Sequence, residues 1–270
     1  MRRENPGWLI AAAVEQEIAG IRAGVQARRT ELDGHRNAWE GEWKGEPLLI
    51  VRTDVGPAKA REGLTPYLRG HPYLGIVSTG YAGGLREECR LGDILVPREV
   101  RSVPPLPEVR LRPDPALREQ VLQRIRQGPW RIHTGPMITS DRVVASSTAK
   151  RALGLKYDAD SVEMESAVIA DLASQASIPF VVVRVVLDEV SFSLPDISQV
   201  FRLYRKKRFG RLIPHVLLHP RELAGLLTLL RRSRKASRGL DRLFLRHLLD
   251  GLAQIGRPPG KTVEDAGLKR

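Results

Sequence analysis

Cysteine is nearly absent from this 270-residue chain. Cys89 stands alone, which excludes an internal disulfide framework and any multi-cysteine metal site. Long apolar runs are missing as well: none approaches the ~18–20 residues that span a bilayer. The stretch Leu9–Val14, after the basic start Met1-Arg2-Arg3, is too short for a signal sequence and lacks a small-residue cleavage site behind it. These absences predict a cytoplasmic protein in which Cys89 is an ordinary, semi-buried thiol. With 42% hydrophobic and 28% charged residues, the chain reads as globular. Its length suits one large α/β domain or one domain with an appendage.

The net charge of +13 is placed unevenly. From Phe201 to the end there are 18 Lys and Arg against 5 Asp and Glu, so the first 200 residues hold 26 of each sign. A neutral domain therefore carries a basic tail, and the two need separate explanations.

Short apolar runs alternate with helical patterns through the first 200 residues, the mark of βαβ units. Strands are predicted at Leu9–Val14, Leu48–Val51, Gly75–Thr79, Asp93–Val96, Pro136–Thr139 and Phe180–Val186, the last β-branched and almost continuous, as expected of a strand buried on both faces. Helices are predicted at Glu15–Arg28, Ala58–Leu68, Pro115–Gln127, Ser147–Leu153 and Glu163–Ala176. Pro104, Pro105, Pro107, Pro113 and Pro115 make 102–115 an extended surface loop. Beyond Phe201, Pro220 starts a helix with Leu223, Leu226, Leu227 and Leu230 at helical spacing. A second amphipathic helix carries Leu240, Leu243, Phe244, Leu248, Leu249 and Leu252. The boundaries that follow are a catalytic domain over 8–200, a basic helical extension over 201–255 and a disordered tail over 256–270.

Three segments carry chemistry. Ser78-Thr79-Gly80-Tyr81-Ala82-Gly83-Gly84-Leu85 reads as a strand entering a glycine-rich turn, where backbone N–H groups can approach a ligand; alone this is a weak signal. In Val162-Glu163-Met164-Glu165-Ser166, a carboxylate can grip two vicinal ribose hydroxyls while Met164 lies against the sugar face. For Glu163 the plainer reading is an acidic residue favoured by the dipole of a helix start. Asp188 follows the most hydrophobic strand, where α/β sheets place ligand crevices and partial desolvation raises a carboxyl pKa. A helix cap or surface turn is the plainer reading there.

Taken in order, these segments resemble the nucleoside phosphorylase and nucleosidase superfamily, and within it the methylthioadenosine/S-adenosylhomocysteine nucleosidase branch. The resemblance spans Leu9 to Asp188. It rests on Ala13-Val14-Glu15-Gln16-Glu17, Thr79–Leu85, Gly92-Asp93-Ile94, Thr139-Ser140-Asp141, Val162–Glu165 and Pro179 through Asp188. It implies an α/β fold with a central mixed, mostly parallel sheet flanked by helices, an enzyme that breaks the N-glycosidic bond of a purine nucleoside or nucleoside-like compound, no cofactor or metal, and a homo-oligomer of two or more subunits. It further implies that Glu17 orients an attacking water and that Asp188 donates a proton or hydrogen bond to purine N7. By the same resemblance Met164 and Glu165 hold the ribose, Gly80, Tyr81 and Gly83 line the site, and Val143 and Val144 lie beside the base. Such a set meets an oxocarbenium-like sugar and a leaving purine anion with the charges each needs.

Departures point to an unusual nucleoside or a diverged specificity. Tyr81 stands where this branch carries a small hydroxyl residue, Leu187 precedes the acid in place of Ser or Thr, and Val143 replaces an aromatic. Phosphorolysis is the alternative chemistry, with Arg52 or Arg142 as sources of positive charge, but a phosphorylase-like Gly-Asp-Pro turn and N-terminal arginine are not visible. A non-catalytic nucleoside-binding protein is a third reading; the joint presence of Glu17, Glu165 and Asp188 argues against it. The clusters Arg205-Lys206-Lys207-Arg208 and Arg231-Arg232-Ser233-Arg234-Lys235 suit phosphate contacts, but few aromatics interleave with them and no nucleic-acid motif is present. The tail either packs its leucines on the domain and leaves its basic face solvated, or rests on an anionic membrane surface. The helix start His219-Pro220-Arg221 is similar to that of phosphorylases of hopanoid synthesis, which release adenine from a nucleoside-headed lipid.

Overall fold

The computed structural model describes residues 7–32, 34–69, 72–194 and 220–255. The basic cluster Arg205–Arg208, His219 and the 256–270 tail lie outside them. In chain order the elements are β1 (Gly7–Ala12), α1 (Glu15–Gly24), β2 (Arg28–Leu32), β3 (His35–Trp43), β4 (Glu46–Arg52) and α2 (Pro57–Leu68). They continue with β5 (Tyr73–Gly84), β6 (Ile94–Leu95), β7 (Val100–Ser102), β8 (Arg110–Leu111), α3 (Pro115–Arg126), β9 (Ile132–His133) and β10 (Met137–Thr139). Next come α4 (Ser147–Tyr157), β11 (Ser161–Glu163), α5 (Ser166–Gln175) and β12 (Phe180–Asp188). A long helix α6 (Pro220–Leu243) then passes through a π-helical turn, Phe244–Leu248, into α7 (Leu249–Ile255).

One 12-stranded mixed sheet organises the domain, in the order β2-β3-β4-β1-β5-β11-β10-β7-β8, with β12 pairing β5 and β6, and β9 pairing β6. The long strand β5 is its hub. It runs parallel to β1 on one side and to β12 on the other, and its last glycines turn to pair antiparallel with β11. Strands β1 and β12 are buried along almost their whole length because helices cover both faces.

Several expectations need correction. The glycine-rich segment 80–84 is strand, not turn, because β12 and β11 both supply ladder partners to it. Helix α1 stops at Gly24, and the residues from Arg28 open the antiparallel hairpin β2–β3, whose exposed, charged faces hide its strand character from a hydrophobicity reading. The proline-rich loop contains a short antiparallel pair, β7–β8. Glu163 ends strand β11, so helix α5 begins only at Ser166. The two expected C-terminal helices are joined into one continuous helical run.

That run completes the core. Ala236, Leu240, Leu243, Phe244, Leu248, Leu249 and Leu252 are buried in the same cluster as Trp8, Ile10, Ile18, Ile21, Val121 and Val183. Each large apolar side chain buried this way contributes roughly 1.5–3 kcal/mol. Close approach to α1 depends on two small residues four apart: a Cβ at Gly20 would run into Asp241, and one at Gly24 into Leu245. Trp8 Nε1 donates to Leu252 O (3.1 Å) and Trp43 Nε1 to Asp250 Oδ1 (2.7 Å), tying the run to both sides of the domain. Leu227 and Leu230 stay outside this packing, and Leu223 and Leu226 lie outside the described side chains.

Candidate functional site

The last residues of β10, β11 and β12 and the stretch Gly80–Gly83 of β5 meet the first turn of α1, with Lys150 of α4 and Arg232 of α6 reaching in from outside. Glu17 sits in that first turn, buried to 5% exposure. Its Oε2 accepts from the N–H groups of Ala13 and Val14 (both 2.9 Å), which satisfies two donors at the helix start. Its Oε1 accepts from the N–H of Tyr81 (2.8 Å), reaching across to β5. Gly80, at φ +137°, makes this possible: a Cβ there would collide with the Glu17 carboxylate. Burial pushes the Glu17 pKa up, while Arg184 and the three N–H donors oppose it.

Glu163 and Glu165 have opposite fates although two positions apart. Glu163 is structural. Its Oε2 accepts from Arg184 Nη2 (2.9 Å) and from the N–H groups of Glu165 (3.0 Å) and Ser166 (2.8 Å), and its Oε1 accepts from Thr139 Oγ1 (2.6 Å). It therefore caps α5, as the helix-start reading requires. Arg184 itself is buried within β12 and also donates to the hydroxyls of Ser78 and Ser166. Glu165 is held by one bond only, from the N–H of Gly56 to Oε1 (2.7 Å). No described residue bonds its Oε2. The side chain of half-buried Met164 approaches the same glycine.

One buried guanidinium thus faces three buried carboxyl groups, and Glu163 takes most of its charge. Burial first, and then the Glu163 charge, push the Glu165 pKa up to about 8. The sign of the stability effect follows. The folded state keeps this proton well above the ordinary 4.5, so stability present at low pH is lost as pH rises toward 8. In Glu165→Gln that loss should vanish: the melting temperatures of variant and parent should diverge progressively between pH 5 and pH 8. Parallel curves would place the ionisation elsewhere.

Asp188, at the end of β12, is buried to 5% exposure beside a residue that the sequence reading overlooked. Lys150, on α4, is fully buried and its Nζ donates to Asp188 Oδ2, to Glu189 O (3.1 Å) and to Phe192 O (2.7 Å). All three ammonium hydrogens have an acceptor. Asp188 Oδ1 takes no bond from a described residue. Burial pushes the Asp188 pKa up, and Lys150 opposes that rise. The loop beyond is pinned from α6: Arg232 donates to Glu189 Oε2 (3.0 Å) and stacks on Phe192, 4.0 Å from the ring centre.

The structure brings Glu17, Gly80, Gly83, Met164, Glu165 and Asp188 to this border of the sheet; a Cβ at Gly83 would lie 3.2 Å from Asp188 Oδ2. Tyr81 contributes its backbone, while its phenol donates to Gln16 O (3.2 Å) on α1, with burial pushing its pKa up to about 12. Val144 packs on the small cluster of Leu85, Val103 and Val162, and Val143 is 60% exposed with no described contact to the carboxylates. Sequence reasoning missed Lys150, Gly56 and the anchoring role of Arg184. The one signal for Lys150 was a lysine on the inner face of a helix, one turn before Gly154. Among the described residues, no group of three or more His, Cys, Asp or Glu could hold a metal ion.

Comparison with known proteins agrees with this architecture. Residues 9–209 match the Phosphorylase superfamily. The 5'-methylthioadenosine/S-adenosylhomocysteine nucleosidase of Actinobacillus succinogenes is 29% identical over 199 residues, 66% of this chain and 84% of that protein. Its counterpart in Bacillus subtilis is 23% identical over 196 residues, 66% of this chain and 84% of that one. Among solved structures, the Neisseria meningitidis nucleosidase of the same name, in complex with methylthio-immucillin-A, aligns with a TM-score of 0.70 at 20% identity, over 92% of this chain and 98% of that one. Helicobacter pylori futalosine hydrolase aligns with the same TM-score at 14% identity, over 92% and 97%. The two structures establish a shared fold, and the relatives fall in the branch that the motifs resemble. On the match over 9–209, this chain belongs to the phosphorylase superfamily.

Proposed function

We propose that this protein hydrolyses the N-glycosidic bond of a purine nucleoside or nucleoside-like compound. The observation that carries the reading is the trio Glu17, Glu165 and Asp188, buried together at one end of the sheet with an oxygen of Glu165 and of Asp188 left for a ligand. The relatives, nucleosidases and a futalosine hydrolase, support the same class of reaction.

In this mechanism water attacks the anomeric carbon and gives its proton to Glu17. The electron pair of the breaking C1′–N9 bond moves into the purine, and Asp188 supplies a proton at N7. Asp188 is then ionised beside Lys150, which compensates the new charge. Glu165 accepts from the ribose hydroxyls, with Met164 against the sugar. Solvent resets both carboxyl groups after the free base and free sugar leave. General acid and base contributions of this kind are typically ~10²–10⁴-fold each.

Water is favoured over phosphate by the arginines. Arg52 is engaged by Asp54 (3.3 Å) and Glu15 (3.8 Å), Arg184 by Glu163 (2.9 Å), and Arg142 is exposed. None of the three is left as an uncompensated cation inside the site. With adenosine or a 5′-thio derivative as probe, base release should be independent of inorganic phosphate and the sugar should appear as the free pentose. A sugar 1-phosphate product would replace hydrolysis with phosphorolysis.

A further inference from the structure

Helix α6 has one face that the domain does not use. Its inner side is spent on the core through Ala236, Leu240 and Leu243. On the opposite side stand Arg231, Arg234, Lys235, Arg238 and Arg242, all exposed. At 100° per residue these five cations, with Leu227 and Leu230 one to two turns before them, fall within about 140° of the helix circumference. Leu227 is 46% and Leu230 45% exposed, where a lone helix of a soluble domain would place polar residues. The cations line a shallow groove of about 510 Å³ closed at its side by Gly92 and Trp130. No described carboxylate pairs with any of the five.

The preceding stretch of sequence adds to this charge. Phe201–Pro220 carries six Lys and Arg and no Asp or Glu. Among the described residues nothing supplies a counter-charge to this face, and a surface of opposite sign outside the molecule can do so. Its character is set by the two leucines, which gain nothing from a phosphate backbone but gain free energy at an acyl boundary. Stacking on bases has little to work with, since Trp130, the aromatic residue of the groove, is already set edge-on against His247 (4.9 Å between ring centres).

We propose that this face of α6 docks the protein on an anionic membrane surface, with the cations against lipid head groups and Leu227 and Leu230 dipping below them. The platform is already folded and anchored from behind, so docking costs no helix ordering. The inference stands apart from the catalytic reading, because its readout is binding.

Co-sedimentation of the full chain with vesicles tests it. Binding is expected to vesicles containing phosphatidylglycerol or phosphatidylserine and not to pure phosphatidylcholine, and to be lost at high salt. Each Lys or Arg near an anionic surface contributes about fivefold (~1 kcal/mol), so R231Q/R234Q/R238Q should bind roughly a hundredfold more weakly. L227N/L230N should also weaken binding while leaving the response to salt in place. Both variants should keep the parent's melting temperature and its turnover of a soluble nucleoside. Equal partition into neutral and anionic vesicles, no binding to either, or unchanged binding by the triple variant would overturn the proposal. So would salt-sensitive binding to duplex DNA alone, or a dimer dispersed by the triple variant with no vesicle binding.

Discussion

Asp188→Asn should leave a folded protein whose kcat is lower by ~10²–10⁴-fold, the usual contribution of a positioned general acid. The amide has the shape of the carboxyl and still offers an oxygen to Lys150, but it has no proton to give to N7. The loss should fall mainly on kcat, because the group acts as the bond breaks and not when the nucleoside arrives. Circular dichroism and a melting curve establish that the folded state is retained; stopped assays on the same preparation give kcat and KM. Turnover within a few-fold of the parent would remove Asp188 from the chemistry and return it to its plainer reading, a helix cap or surface turn.

Removing the partner should have a different signature. Lys150→Met removes the donor shared by Asp188 Oδ2 and the carbonyls of Glu189 and Phe192, and each buried acceptor left without a partner typically costs ~1–3 kcal/mol. A large drop in melting temperature is the expected result, growing as pH rises and Asp188 ionises without a counter-charge, and that growth should be absent in the double variant Lys150→Met/Asp188→Asn. The pH profile distinguishes positioning from mere packing. Lys150 holds the Asp188 pKa down against burial, so without it Asp188 should keep its proton to higher pH. The alkaline limb of kcat/KM should therefore move upward in Lys150→Met. An unmoved limb with a lowered melting temperature would make Lys150 structural only.

Strand β12 was legible from Phe180 to Val186 because seven residues with one polar side chain can be accommodated only between two covered faces. Helix α3 was legible within a residue, since Pro115 starts it and Asp114 accepts from the N–H of Leu117 (2.8 Å) to cap it. The leucines from Leu240 onward were legible as a buried stripe for the same periodic reason. The hairpin β2–β3 was not: apart from the buried Ala38 and Trp39 its residues are half-exposed or exposed and mostly polar, and its pairing partners, not its hydrophobicity, make it strand.

Within the site the division is sharper. Residue type and position were enough to single out Met164, Glu165 and Asp188, while Glu17 entered only through the family resemblance. What each carboxyl group does was decided at long range. Glu163 became an anchor because Arg184, 21 residues away, reaches it first, and Glu165 was thereby left short of positive charge. Asp188 acquired its partner from a lysine 38 residues earlier on a helix with little apolar character. Local propensity and periodicity are properties of neighbouring residues and so can be read along the chain. Burial and charge compensation depend on which distant groups share the same low-dielectric space, and only the folded chain brings those groups together.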